Sequence, residues 1–286
     1  MKINSKYKKV AGWILRVIIL GSCFRVIWQA VSDRWSFDLQ FTNEQIGLIL
    51  LVIILMPINW GLEVWRWKRS LDSIEKSSWK EAGRQVFSGL TLNWILPFTS
   101  GDLIARLTPN SDRKKVGVLI LYNRGIMLLI TGLFGAYGIY VFSGSLFDSF
   151  FWQIGMVVIF LVVASIVLLR IFRKQEFPKW VVSITIISGV RYLIFTFQFV
   201  LLLYAFIPEL SMHIILAGVG WTFFFRSVIP SLFGNLGVRE VGALVFFESY
   251  VSEPALILIP SLLIWLINTV APSVLGLYYI LRFQGK

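Results

Sequence analysis

Two short stretches of the chain share one pattern of residues suited to holding an anion. The first reads Pro97-Phe98-Thr99-Ser100-Gly101-Asp102-Leu103-Ile104-Ala105-Arg106. The second reads Pro230-Ser231-Leu232-Phe233-Gly234-Asn235-Leu236-Gly237-Val238-Arg239, followed by Glu240. Both fit Pro-x3-Gly-(Asp/Asn)-x3-Arg with the same spacing. Proline ends an incoming helix and glycine permits a turn. Asp102 and Asn235 are N-cap types for an outgoing helix, whose first turn offers free N–H groups and partial positive charge. Arg106 and Arg239, one turn further on, could grip a phosphate bidentately. The plainer alternative is local: Asp102 neutralises Arg106 at i,i+4, and Glu240 does the same for Arg239.

Three more arginines, Arg124, Arg191 and Arg226, fall inside apolar stretches, where a charge is costly and is a functional candidate by default. Carboxylates available to them are few: Asp102, Glu240, Glu248 and Glu63. An arginine excess favours an anionic ligand, and Asn93 adds an amide just before the first motif. The alternative for Arg124 and Arg191 is snorkelling or pairing with backbone carbonyls, which also serves Arg16 and Arg25 near their span ends. Catalytic chemistry lacks its parts. Asp72 and Glu75 sit in a basic connection, not an acidic metal cluster, and His213 and Cys23 are each the only residue of their type. No P-loop or Gly-x-Ser-x-Gly elbow is present. An enzyme is not expected, nor are a metal or cofactor.

The elements that must position these residues are membrane helices. The 286 residues are 57% hydrophobic and only 15% charged, too few charges to coat a soluble globule, for which about 25% is usual. Apolar stretches of spanning length run Val10–Ala30, Ile46–Trp67, Val116–Phe142, Phe150–Leu169, Trp180–Ile207 and Ala255–Leu281. The two motif segments, Val86–Ala105 and Ile214–Tyr250, are broken by Pro and Gly. Basic residues gather in alternate connections. They begin with Lys2, Lys6, Lys8 and Lys9, continue through Arg66 to Arg84 and Arg113 to Lys115, and then through Arg170 to Lys179, ending with Arg282 and Lys286. That alternation predicts both termini in the cytosol and a multi-pass protein of the cytoplasmic (inner) membrane. The net charge of +12 is then topology and anionic-lipid contact, not nucleic-acid binding. Arg16 and Arg25 interrupt and follow the first apolar run, so an uncleaved helix is expected there in place of a signal peptide.

Three spans separate the two motifs, so one is approached from the cytosol and the other from outside. That arrangement is an inverted repeat, and Gly/Pro-interrupted segments in matching positions point to a transporter's binding site. The expected fold is all-α: a polytopic helical membrane protein with about six full spans plus two broken or re-entrant helical hairpins. Residues 1–286 form a single membrane domain. Its first half (10–142) carries the 97–106 motif and its second half (150–282) the 230–240 motif. Candidate ligand-binding residues are Asn93, Asp102, Arg106, Arg124, Arg191, Arg226, Arg239 and Glu240. Pro97, Gly101, Pro230, Gly234 and Gly237 shape the turns.

These residues carry a resemblance. Asn93-Trp94-Ile95-Leu96-Pro97 with Gly101-Asp102, Arg106 and Asn123-Arg124 resembles the first signature of the flippase-like family, which includes the transmembrane region of lysylphosphatidylglycerol synthases. Pro230-Ser231, Gly234 and Gly237-Val238-Arg239-Glu240 look like its second signature, and Trp265, Asn268 and Pro272 fit its closing helix. The resemblance implies a protein that moves a lipid between leaflets, with a membrane lipid of anionic or phosphate headgroup as its partner. The sequence ends at Lys286 without the cytosolic aminoacyltransferase domain of the synthases, so lipid lysylation by this chain is not expected. Two other readings use the same arginines. One is a non-transporting subunit that presents lipid to a lipid-modifying enzyme or glycosyltransferase; the other is a membrane-embedded transferase acting on a lipid phosphate.

Overall fold

The computed structural model describes residues 5–32, 41–96, 100–107, 112–144, 179–229 and 233–283. Among them every regular element is helical: α1 (Ser5–Ser32), α2 (Asn43–Leu71), α3 (Trp79–Ile95), α4 (Ser100–Arg106), α5 (Arg113–Gly144) and α6 (Lys179–Phe206) come first. Next follow α7 (Met212–Val228), a 3₁₀ turn (Phe233–Asn235), α8 (Val238–Phe247) and α9 (Ala255–Trp265). A π turn (Leu266–Val270) joins α9 to α10 (Ala271–Phe283). Four helical stretches are long and apolar enough to cross a membrane: Asn43–Leu71, Arg113–Ser143, Trp180–Phe206 and Ala255–Arg282. They match four of the expected spans, and α1 covers Val10–Ala30; Phe150–Leu169 lies outside the described residues. The chain is a helical membrane protein.

Local chemistry sets the helix ends. Thr42 and Gln45 form a capping box at the start of α2, with Thr42 Oγ1 accepting from the Gln45 N–H at 3.2 Å and Gln45 Oε1 accepting from the Thr42 N–H at 3.0 Å. Glu44 in the first turn and Lys68 and Arg69 in the last complement the helix dipole. These favourable ends carry α2 as far as Leu71. Arg66, read above as part of a connection, therefore lies within the helix and is buried.

Both broken segments fold back on themselves. In the first, Gly101 of α4 sits against the backbone of Leu92 and Asn93 on α3, and Gly89 sits against Asp102. In the second, Trp221 Nε1 of α7 donates to the Gly242 carbonyl of α8 at 2.9 Å, while Phe247 closes over Gly218. Arg106, at the end of α4, shares a cavity with Ser78, Glu81 and Gln85 at the start of α3. Phe247, at the end of α8, lies near the start of α7. Each hairpin thus returns to the end of the bundle from which it entered. The end at which α3 begins carries Lys68, Arg69, Lys76, Lys80 and Arg84, with Arg113, Lys114 and Lys115 at the start of α5; it is called the basic end below.

The hairpins are exchanged between halves. α3 packs against α10, and α7 packs against α5, while α2 and α6 pack on each other. Both exchanged seams are built on small residues. Gly276 of α10 lies on Phe87 and Thr91 of α3, whose hydroxyl donates to the Ser273 carbonyl at 2.6 Å. Gly135 and Gly138 of α5 meet Phe224 and Trp221 of α7, and Gly220 meets the Phe134 carbonyl. Lipid tails are as apolar as leucine, so membrane helices associate through such close backbone approach. Side chains such as Ile54, Leu121 and Val274, each more than 60% exposed, form the apolar exterior a bilayer would cover.

Candidate functional site

The tips of the two hairpins meet halfway along the long helices. Asn93 and Leu96 from the tip of α3 and Gly234 and Asn235 from the turn before α8 line one cavity of about 210 Å³. Asn59, Met127, Arg191 and Asn268 complete its wall from the middle of α2, α5, α6 and the π turn. At about 30 Å³ per water molecule, it holds a small polar group and little else.

Its lining mixes polar groups with the rings of Trp60, Tyr192, Phe195 and Phe223. Asn59 Nδ2 donates to Asn268 Oδ1 at 2.9 Å, and Trp60 Nε1 donates to the Asn268 carbonyl at 3.2 Å. The π turn widens the helix at Asn268, where that carbonyl accepts from a neighbouring helix. Asn59 Oδ1 and Asn268 Nδ2 are buried with no hydrogen-bond partner among the described residues. Arg226 reaches the cavity from α7, its guanidinium 5.1 Å from the Phe223 ring centroid and 5.3 Å from that of Phe195. Among the described residues no carboxylate lies within ion-pair distance of Arg226. Arg191 lies 5.6 Å from the Trp60 ring centroid.

From Arg191 a charge network extends toward the basic end. Glu63 of α2, 5% exposed, meets three guanidiniums from three helices. Arg66 Nη2 lies 2.7 Å from Oε2, Arg106 Nη2 3.2 Å from Oε1 and Arg191 Nη1 3.4 Å from Oε2. Arg106 also contacts Asp102 Oδ1 at 2.7 Å and covers the Trp67 ring at 4.1 Å. Asp102 faces Arg124 at 3.6 Å and donates its backbone N–H to Asn93 Oδ1 at 3.1 Å. Arg66 further donates to the Asn123 carbonyl and the Ser188 hydroxyl. Among the described residues, the ion pairs of Arg66, Arg106, Arg124 and Arg191 around the cavity and its extension run to Glu63 and Asp102.

Arg239 and Glu240 stand apart. Their side chains pair at 2.5 Å, each residue 1% exposed, and Ser261 Oγ bridges both at 3.2 Å. Glu240 Oε2 also accepts from the Gly237 N–H at 2.7 Å, capping α8. The expected anion site at that helix end is filled by the protein's own carboxylate. Asn235 is not the N-cap either: it lies in the left-handed region at φ 70°, between Gly234 at 66° and Gly237 at 85°, and Gly237 precedes α8. Asp102 sits inside the first turn of a helix of only seven residues, so its role is ionic, not capping. Glu248 is exposed at the end of α8, outside the core.

Of the eight candidates, the structure brings Asn93, Arg191 and Arg226 to the mid-depth cavity. It joins Asp102, Arg106 and Arg124 to the adjoining network, and it closes Arg239 on Glu240. Gly101, Gly234 and Gly237 occupy the turns or close approaches expected of them; Pro97 and Pro230 lie outside the described residues. Sequence reasoning missed Asn59 and the burial of Arg66. A lone amide in the run Leu55-Met56-Pro57-Ile58-Asn59 was the available signal for the first.

No model of a known protein family matches the chain, and no curated protein matches it.

Proposed function

We propose that this protein passes an anionic, phosphate-bearing lipid headgroup between membrane leaflets through the mid-depth cavity at the meeting point of its two hairpins. One observation carries the reading. Arg226, which has no carboxylate within ion-pair distance among the described residues, shares a cavity with Arg191, Asn59 and Asn268 halfway along the spans. A half-buried cation at mid-depth without a counter-ion is costly, and a phosphate would offset that cost through charge-assisted hydrogen bonds. The amide groups of Asn59 and Asn268 add a donor and an acceptor for the rest of the headgroup. Exchanged re-entrant hairpins support a transporter, because such folds place their ligand at the repeat interface. The resemblance to the flippase-like family agrees with this assignment. With the basic end facing the cytosol, the protein would sit in the cytoplasmic membrane with both termini inside. No covalent step belongs to this reading.

Exchange of headgroup-labelled phospholipids across proteoliposomes tests it. The native chain should exchange an anionic phospholipid, and Arg191→Gln and Arg226→Gln should each slow exchange at least about tenfold. If no anionic phospholipid exchanges, or if folded Arg226→Gln exchanges at the native rate, the assignment is wrong. The first result would favour a subunit that presents lipid to an enzyme.

A further inference from the structure

We propose that Arg66, Arg106 and Arg191 form a second anion seat, between the mid-depth cavity and the basic end, in which the Glu63 carboxylate stands in for a phosphate. The assignment rests on the headgroup reading above and gives it a second station.

The geometry is that of a binding site closed by an internal ligand. Three guanidiniums arrive from α2, α4 and α6 and converge on one carboxylate, with N···O distances from 2.7 to 3.4 Å. Four residues so placed are all largely buried, with side chains at most 18% exposed. One negative charge leaves three positive ones undercompensated, and the nearest other carboxylate, Asp102, is shared between Arg106 and Arg124. A structural ion pair needs one arginine. Three aimed at the same point match the several acceptor oxygens of a phosphate better than the two of a carboxylate.

The location is equally specific. Arg191 belongs to both sites, lining the mid-depth cavity while contacting Glu63. Arg106 belongs to the seat and to a separate cavity of about 320 Å³ at the basic end, where Lys76 and Gln85 stand with the carboxylates Glu75, Glu81 and Asp112. The seat therefore lies between two cavities, and a headgroup moving from one to the other passes the Glu63 carboxylate. Its phosphate would exchange with Glu63 for the same guanidiniums, so that they are never left without an anion.

Thermal unfolding of the purified protein in detergent, with sodium phosphate compared against sodium chloride at equal ionic strength, tests the seat without requiring transport. Native protein should gain from phosphate over chloride no more than the mid-depth cavity supplies, because Glu63 occupies the seat. Glu63→Gln should be stabilised by phosphate specifically, and Glu63→Gln with Arg66→Gln should lose most of that response. A short-chain phosphatidic acid should act on Glu63→Gln at concentrations at least about tenfold below inorganic phosphate. If only inorganic phosphate acts, the lipid assignment of the seat is overturned in favour of free phosphate. If folded Glu63→Gln shows no phosphate-specific shift, the seat itself is overturned. Should Glu63→Gln fail to fold, Glu63→Asp, whose shorter side chain withdraws the carboxylate from the seat, must show a smaller phosphate response; none would refute the proposal. A failure of Arg226→Gln to affect exchange would count against the cavity while leaving this binding result intact.

Discussion

Replacing Arg226 and Arg239 separately with leucine should move stability by different amounts, because the half-buried Arg226 and the buried Arg239 answer to different partners. Arg239 is held by Glu240 at 2.5 Å with both residues 1% exposed. Its removal leaves that carboxylate buried, with the Ser261 hydroxyl and the Gly237 N–H as its remaining contacts. Breaking one side of a buried pair costs about 3–5 kcal/mol. Arg226 has two aromatic faces and no carboxylate at ion-pair distance among the described residues. Its loss forfeits two cation–π contacts at about 0.5–2 kcal/mol each, and relieves the desolvation of a half-buried ion, a part of the several kcal/mol that full burial costs. Arg226→Leu should therefore be neutral or stabilising. A gap of about 3 kcal/mol or more between the variants corresponds to roughly 6–12 °C at 2–4 °C per kcal/mol. Heating in detergent with intrinsic fluorescence from the 12 tryptophans reads this directly. Lipid exchange should run the other way. A charge-assisted hydrogen bond contributes about 1.5–3 kcal/mol, so Arg226→Leu should slow exchange about 10- to 150-fold at 1.4 kcal/mol per tenfold. Equal destabilisation by both substitutions would mean that Arg226 is a structural arginine, and the argument for the cavity would fall.

Three other outcomes follow from the packing and the loops. Alanine at Gly276 or at Gly138 places a methyl group into the facing backbone of the exchanged helix, so each should destabilise by about 1–3 kcal/mol, the usual cost of overpacking; thermal unfolding of both variants checks that the two seams are equivalent. Asn59→Leu and Asn268→Leu should each cost about 1–3 kcal/mol by stranding the other amide, with the double variant recovering part of the loss in a thermodynamic cycle. Burial tends to raise the Asp72 carboxyl, but hydrogen bonds from Lys68 Nζ and from the Ser77 N–H and hydroxyl outweigh it and hold it below the ordinary carboxylate range. A lowered folded value means that its contribution is present above about pH 3.9 and lost as pH falls through the folded value. The stability difference between native protein and Asp72→Asn should therefore be constant from pH 7 to 5 and shrink below pH 4, as acid titration with fluorescence would show.

The long spans were legible because hydropathy is a one-dimensional property: α2, α5, α6 and the α9–α10 stretch each announce themselves. The Asp102–Arg106 and Arg239–Glu240 pairs were legible too, since their members are neighbours in sequence. Arg66 was misplaced because a charge near the end of an apolar run reads as a connection, whereas the capped α2 carries it a full turn inside. Asn59 meets Asn268 across 209 positions, and nothing in either local sequence names the other. The expectation that Asn235 caps a helix failed on backbone geometry. Three left-handed residues between positions 234 and 237 spend the turn before α8 begins, and Gly237, with no side chain, leaves the cap to Glu240. The seam glycines were visible, but which helices they join depends on the exchange of hairpins, a tertiary fact.

The two halves share a backbone scheme but not its charges, and on the proposed reading that asymmetry sets the direction of the energetic slope. In the second hairpin Glu240 satisfies both Arg239 and the start of α8, which leaves Arg226 as that hairpin's charge at the cavity. The first hairpin brings Arg106 onto a carboxylate already engaged by Arg66 and Arg191, and the surplus of positive charge accumulates between the mid-depth cavity and the basic end. A headgroup phosphate bound near Arg226 would thus find stronger attraction one step further in, and without Glu63 three guanidiniums, of which Arg106 keeps Asp102, would hold it there. Glu63 prevents that trap by competing for the same donors. Neutralising it should therefore tighten binding and slow turnover together: Glu63→Gln should lower the lipid concentration for half-maximal exchange at least about threefold while reducing the maximal rate. An increase in maximal rate would show that Glu63 obstructs the path, with no part in release.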